Sequence, residues 1–230
     1  MRGNDNMKSK ETKTLTVGII LIVVFIFWTA LIQIVDVQSV GQNGTDVGFA
    51  TINMWFHNMT GVHMWIYVVT DWLGLVPIFV CMIFATIGFV QLVKRRSLIK
   101  VDCDITILGI YYIVVIFNYL IFEMIPINYR PILIQGIMEA SYPSSTTLLV
   151  LSVMPTLVFQ VNRRLKSEMV KKIICITTYM FSVFMVIGRL VAGVHWFTDI
   201  IGSVMISAGM FYFYKVIVLY MDKKKNAKEV

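Results

Sequence analysis

Charge is scarce in this sequence. Of its 230 residues, 14% are charged and 58% are hydrophobic, and the mean hydropathy is +0.78. A soluble domain carries about 25% charged residues, so that class is excluded. So much apolar side chain excludes intrinsic disorder as well. Cysteine is equally sparse. Cys81, Cys103 and Cys175 are odd in number, and two of them sit inside apolar runs. That excludes a disulfide framework. No Cys-x-x-Cys pair and no His/Cys cluster points to a metal, so the three read as small buried apolar residues. Internal repeats, linkers and low-complexity tracts are missing too. What remains is an all-α, polytopic membrane protein in one compact unit. The formal net charge of +7 then reports topology rather than nucleic-acid binding.

A spanning helix needs about 20 mostly apolar residues. Six segments meet or approach this: Leu15–Val35, Trp72–Val93, Ile105–Ile125, Ser144–Val161, Ile173–Leu190 and Ile200–Tyr220. The first follows the basic stretch Lys8–Lys13. Its apolar run is too long for a signal peptide and no small-residue cleavage site follows, so it reads as an uncleaved helix. Between the first two spans, Phe49, Ile52, Trp55 and Phe56 recur at roughly helical spacing within Val47–Asn58. They predict a short interfacial helix in the first outer loop, with Trp55 near headgroup level. His57 and His63 in that loop lack evident partners. No polar stripe is evident along the helices, which argues against a channel. The expected organisation is a basic tail over 1–14, a membrane domain over 15–220 and a second basic tail over 221–230.

All but three of the 20 Lys and Arg fall into four groups. They are Arg2, Lys8, Lys10 and Lys13; Lys94, Arg95, Arg96 and Lys100; Arg163, Arg164, Lys166, Lys171 and Lys172; and Lys223, Lys224, Lys225 and Lys228. With six spans all four groups share one side. Excess Lys and Arg mark the cytoplasm, so both termini are expected there, in a plasma membrane and suiting a bacterial one. The loop from Asp36 to Asp71 has no Lys or Arg and faces outward. Of the three exceptions, Lys215 reads as a snorkelling residue near a helix end. Arg130 and Arg189 lie on the outer side, and ionisable groups at membrane depth are functional candidates.

Three stretches meet on that outer side: Asn128-Tyr129-Arg130-Pro131, Tyr142-Pro143-Ser144-Ser145-Thr146, and Gly188 to Asp199. Two arginines offer forked donors that match phosphate oxygens. Ser144 is a candidate N-cap, and a helix N-terminus suits an anion. His195 can serve as nucleophile or base, with Asp199 orienting its ring. Each piece also has a plainer use. Arg130 can anchor the interface, Pro143-Ser144 can simply start a helix, His195 with Trp196 can be an interfacial pair, and Asp199 can cap the last helix.

The ordering Arg130-Pro131, Pro143-Ser144, then Arg189-x5-His195-x3-Asp199 resembles the type 2 phosphatidic acid phosphatases, the PAP2-like lipid phosphatases. Their motifs are K-x6-R-P, P-S-G-H and S-R-x5-H-x3-D, and the likeness runs from the second helix to the sixth. It implies an outward-facing lipid phosphatase. His195 would form a phosphohistidine and Asp199 would orient it. Arg130, Arg189, Ser144 and Ser145 would hold the phosphate of a phosphorylated membrane lipid. No metal and no cofactor is implied.

Three positions depart from the pattern. Glu123 stands in the place of the lysine, Thr146 of the second histidine and Gly188 of the serine. In the family that histidine protonates the leaving group, which a threonine hydroxyl cannot do near neutral pH. Loss of a general acid costs about 10²–10⁴ in rate. Three expectations follow: preference for a lipid such as undecaprenyl diphosphate, whose phosphate leaving group needs little protonation; a substitute acid, Glu139 or Glu123; or a catalytically weak protein that binds or transports lipid phosphates. The glutamates can also simply pair with Arg130 or Arg189.

Overall fold

The computed structural model describes the backbone of residues 2–227, and the side chains of residues 11–227 other than Asn226. The extreme ends of both basic tails, with Lys228, lie outside the described residues. Among the described residues, eight α-helices follow one another: α1 (Arg2–Ile32), α2 (Ala50–Thr60), α3 (Met64–Leu73), α4 (Leu75–Arg95), α5 (Cys103–Met124), α6 (Ser145–Arg164), α7 (Glu168–Val191) and α8 (Phe197–Asn226). Six stretches of the described residues are long and apolar enough to cross a membrane, with α3 and α4 together forming one of them. The expected count of spans is therefore borne out.

The second span begins at Met64, ahead of the Trp72 expected from the sequence. Met64–Arg95 has 32 residues, and its most apolar 18-residue window reaches a mean hydropathy of 2.5. At 1.5 Å per residue that is about 48 Å, well beyond a hydrocarbon core of about 30 Å. Thr70 and Asp71 do not break the helix, because the Thr70 hydroxyl donates back to the Ile66 carbonyl at 2.8 Å. A junction falls at Gly74, where Pro77 has no N–H to offer the Leu73 carbonyl. α3 thereby reaches past the apolar layer and lends side chains to the end of the bundle described below.

α6 is the central helix. Half of its best apolar window is buried, against 17–33% in the other spans, and its mean hydropathy of 1.4 is the lowest of the six. A helix sheltered from lipid can carry polar groups, and α6 does. Tyr111 donates to the Ser152 carbonyl at 3.0 Å, the Tyr112 and Thr156 hydroxyls meet at 2.8 Å, and Gln160 donates to the Tyr214 hydroxyl at 2.8 Å. The expectation of no polar stripe is thus corrected. The stripe exists, and it faces α5 and α8 as interhelical hydrogen bonds.

α1 packs along α8, and Lys223 near the end of α8 meets Glu11 of α1 at 3.8 Å. Several arginines of the basic groups are paired at this end. Arg163 bonds Asp222, Arg164 bonds Asp104, and Arg95 bonds Asp102, at 2.7, 2.7 and 2.8 Å. At the opposite end the short helix is present as α2. It is pinned to the start of α8 by buried Asn53, whose amide donates to the Thr198 hydroxyl at 3.0 Å and accepts from the Thr198 N–H at 3.2 Å. Its apolar residues divide. Ile52 and Trp55 are exposed, while Phe49 stacks on Trp28 and Phe56 on Phe197.

Candidate active site

Two loops and the top of α3 converge at the α2 end of the bundle. The first loop joins α5 to α6 and folds back on itself. Arg130 N–H donates to the Glu139 carbonyl at 3.1 Å, and Ser141 N–H donates to the Asn128 carbonyl at 2.8 Å. This antiparallel pairing, centred on Tyr129 and Ala140, sets Arg130 opposite Glu139 and Ser141 opposite Asn128. The second loop is the turn between α7 and α8. Gly193 adopts φ +70° there, and a Cβ on it would collide with the Gly61 carbonyl. The turn can therefore lie flat on the α2–α3 connection, where the His63 N–H donates to the Ala192 carbonyl at 3.0 Å. Trp196 ties the two loops together, its indole N–H donating to the Tyr129 carbonyl at 2.8 Å.

His195 is 4% exposed. Its Nδ1 lies 3.1 Å from the Ser141 carbonyl oxygen and 3.2 Å from Ser141 Oγ. Asp199 Oδ2 is farther, at 3.7 Å. That carboxylate oxygen accepts from the Trp196 N–H at 2.8 Å, capping α8, and from the Ser141 hydroxyl in a close hydrogen bond. A carbonyl can only accept, so Nδ1 carries the ring hydrogen. Nε2 is left with its lone pair and faces Arg189 Nη2 at 3.5 Å. Burial lowers the His195 pKa well below its ordinary value, and the positive charges of Arg130 and Arg189 push the same way. The imidazole is neutral at pH 7.

Both arginines are buried, Arg130 at 8% exposure and Arg189 at 1%. They share one aromatic platform, with the Tyr67 ring centroid 5.8 Å from Arg130 Cζ and 4.9 Å from Arg189 Cζ. Each meets one carboxylate from the rim: Glu139 lies 3.1 Å from Arg130 Nη2, and Asp71 lies 3.6 Å from Arg189 Nη1. Nε and Nη1 of Arg130 and Nε of Arg189 are buried with no hydrogen-bond partner in the protein. Two cations with unused donors beside a neutral imidazole lone pair are chemically suited to an oxyanion.

A cleft of about 510 Å³ opens beside this site, between α4, α5 and α6. Asp71, Ser145 and Thr146 line it together with apolar residues such as Leu75, Ile78, Val115 and Leu149. Asp71 thus touches both the cleft and Arg189.

The sequence profile of the PAP2 superfamily matches residues 12–223. The chain belongs to the PAP2 superfamily. A solved structure described as a transmembrane PAP2-type phosphatidylglycerolphosphate phosphatase from Bacillus subtilis has the same fold, with a TM-score of 0.60 and 18% sequence identity. The alignment covers 90% of this chain and 96% of that one. Comparison with curated proteins finds no match.

The fold of this PAP2 chain brings His195, Asp199, Arg130 and Arg189 together. Ser144 follows a different course. It sits at the N-cap position of α6 without capping it, and its hydroxyl donates to Thr147 Oγ1 at 3.1 Å. Ser145 and Thr146 line the cleft, and the first turn of α6 there leaves backbone N–H groups without intrahelical acceptors. Glu139 pairs with Arg130. Glu123 lines a separate small pocket beside Tyr119, Tyr142 and Ser145. At Gly188 a Cβ would come within 2.7 Å of Thr70 Cγ2. Thr70 fills that space, and its hydroxyl lies 3.5 Å from Arg189 Nη1. Ser141, Tyr67, Thr70 and Asp71 were not singled out from the sequence. For Ser141 the available signal was its place just ahead of the quoted Tyr142-Pro143-Ser144.

Proposed function

We propose that this protein is a lipid phosphatase that attacks the phosphate of a membrane lipid with His195 Nε2. The observation that carries the reading is the set of buried guanidinium N–H groups with no protein acceptor on Arg130 and Arg189, whose charges both act on His195 and the second of which places Nη2 3.5 Å from that nitrogen. Phosphate oxygens satisfy them. In-line attack forms a phosphohistidine, and water then releases phosphate and frees the histidine. The lipid chain occupies the apolar cleft and its headgroup meets the site at Asp71, Ser145 and Thr146. Because the N-terminal part of α1 and the end of α8 are basic, both termini are assigned to the cytoplasm and the site to the outer face of a plasma membrane.

Thr146 shapes the substrate reading. With a hydroxyl where an acid would stand, a leaving group that needs no proton is favoured, so a polyprenyl diphosphate such as undecaprenyl diphosphate is preferred over phosphatidic acid. The specific observation favouring a second reading, a lipid-phosphate binder or transporter that turns over weakly, is that same threonine.

Purified protein with ³²P-labelled undecaprenyl diphosphate, phosphatidylglycerol phosphate and phosphatidic acid decides among these. The proposal expects acid-labile label on His195, none on His195→Ala, and the fastest phosphate release from the diphosphate. Binding without label or release leaves the second reading standing. Faster release from phosphatidic acid overturns the diphosphate preference.

A further inference from the structure

Attack by Nε2 requires the ring hydrogen to stay on Nδ1 throughout, and something must hold it there. The motif resemblance gives that task to Asp199 directly. The distances give it to another residue. Nδ1 and Asp199 Oδ2 are 3.7 Å apart, beyond hydrogen-bond range. Ser141 stands between them in two ways. Its carbonyl is 3.1 Å from Nδ1 and its Oγ is 3.2 Å from the same nitrogen. The Oγ hydrogen is already committed to Asp199 Oδ2, so lone pairs are what Oγ presents to the ring. Asp199 Oδ2 is itself occupied by the Ser141 hydroxyl and the Trp196 N–H. All three side chains are buried, with Ser141 at 1% and Asp199 at 0% exposure.

We infer that Ser141 is the positioning residue of this site, and that Asp199 acts on His195 through the Ser141 hydroxyl rather than by direct contact. The inference rests on His195 being the nucleophile, as proposed above. In the step it serves, the Nε2 lone pair forms the bond to phosphorus. The bond from phosphorus to the leaving oxygen breaks, with its electron pair staying on that oxygen. The Nδ1 hydrogen remains on the ring. Positive charge develops on the imidazole, and the lone pairs of the Ser141 carbonyl and hydroxyl face it. The hydroxyl is polarised by the carboxylate behind it, so Asp199 stabilises the cation at one remove. Ser141 can do this because its backbone is fixed from the other side by the Asn128 carbonyl.

A double-mutant cycle on the full chain tests this. Ser141→Ala keeps the carbonyl and removes the hydroxyl, Asp199→Asn removes the charge, and Ser141→Thr keeps a hydroxyl. The inference expects Ser141→Ala to slow phosphohistidine formation by roughly 10- to 100-fold, the equivalent of one hydrogen bond to a charged group. KM should be unchanged, and Ser141→Thr should recover most of the rate. Asp199→Asn should cost a similar factor, and the double variant no more than the worse single one. The acid limb of kcat/KM should move by the same amount in Ser141→Ala and Asp199→Asn. Multiplying effects, or a full rate in Ser141→Ala, overturn the inference. If Ser141→Ala does not fold, Ser141→Cys takes its place in the same cycle. Wild-type protein that forms no phosphohistidine overturns both this inference and the reading beneath it. A labelled wild type with multiplying variant effects removes only the role of Ser141.

Discussion

A histidine shut away from water between two guanidinium groups resists taking a third positive charge. That resistance fixes a pH dependence. The free protein's His195 pKa lies below its ordinary value of about 6.5, because of burial first and Arg130 and Arg189 second. The nucleophilic form is therefore present at pH 6.5 and is lost only well below it. The acid limb of kcat/KM, which reports the free enzyme, should fall below pH 6.5 once ionisation of the substrate phosphate is subtracted. A limb at or above 6.5 would contradict this. Folding stability follows the same sign. The unfolded chain takes up the proton first as pH drops, so stability declines from about pH 6.5 downward, and His195→Gln should flatten that decline. At this scale the sequence was informative where chemistry sits in side chains at fixed local spacing. His195 and Asp199 share one helix start, and Arg189 ends the helix before it. Ser141 was hidden for two reasons. Its contribution is partly a backbone carbonyl, which every residue has, and it reaches His195 only through the fold-back of the α5–α6 loop.

Among the elements, the α7–α8 turn and the α2–α3 connection depend on each other through two glycines. Gly193 has φ +70° and its Cα faces the Gly61 carbonyl. Gly193→Ala therefore meets two obstacles, a left-handed backbone that L side chains avoid and a direct collision. A loss of about 2 kcal/mol or more of stability is expected, with His195 displaced and activity lost together. Thermal unfolding and phosphate release on one preparation check this, and an alanine variant of wild-type stability would refute the packing argument. Element boundaries were partly legible. The apolar runs of α5 and α7 stand out, but the start of the second span was misplaced because Thr70 and Asp71 look like a helix end. In the fold Thr70 bonds its own preceding turn and Asp71 serves Arg189. The short helix was found from its periodicity, although the buried, polar Asn53 that anchors it breaks that pattern.

For the molecule as a whole, six spans and their basic ends were readable because membrane insertion sorts charge by side. The polar face of α6 was not readable, since the groups that satisfy it come from α5 and α8, far away in sequence. The sidedness itself can be measured. In a chain freed of Cys81, Cys103 and Cys175, a cysteine at Asn43 should react with a membrane-impermeant maleimide on intact cells. One at Lys224 should react only after lysis. The reverse pattern would turn the site toward the cytoplasm. The cleft between α4, α5 and α6 carries a consequence for kinetics. A lipid seated there arrives by lateral diffusion within the bilayer. Its effective concentration is a mole fraction in the plane, so inert lipid added at constant total substrate slows turnover by surface dilution, while added water volume leaves it unchanged.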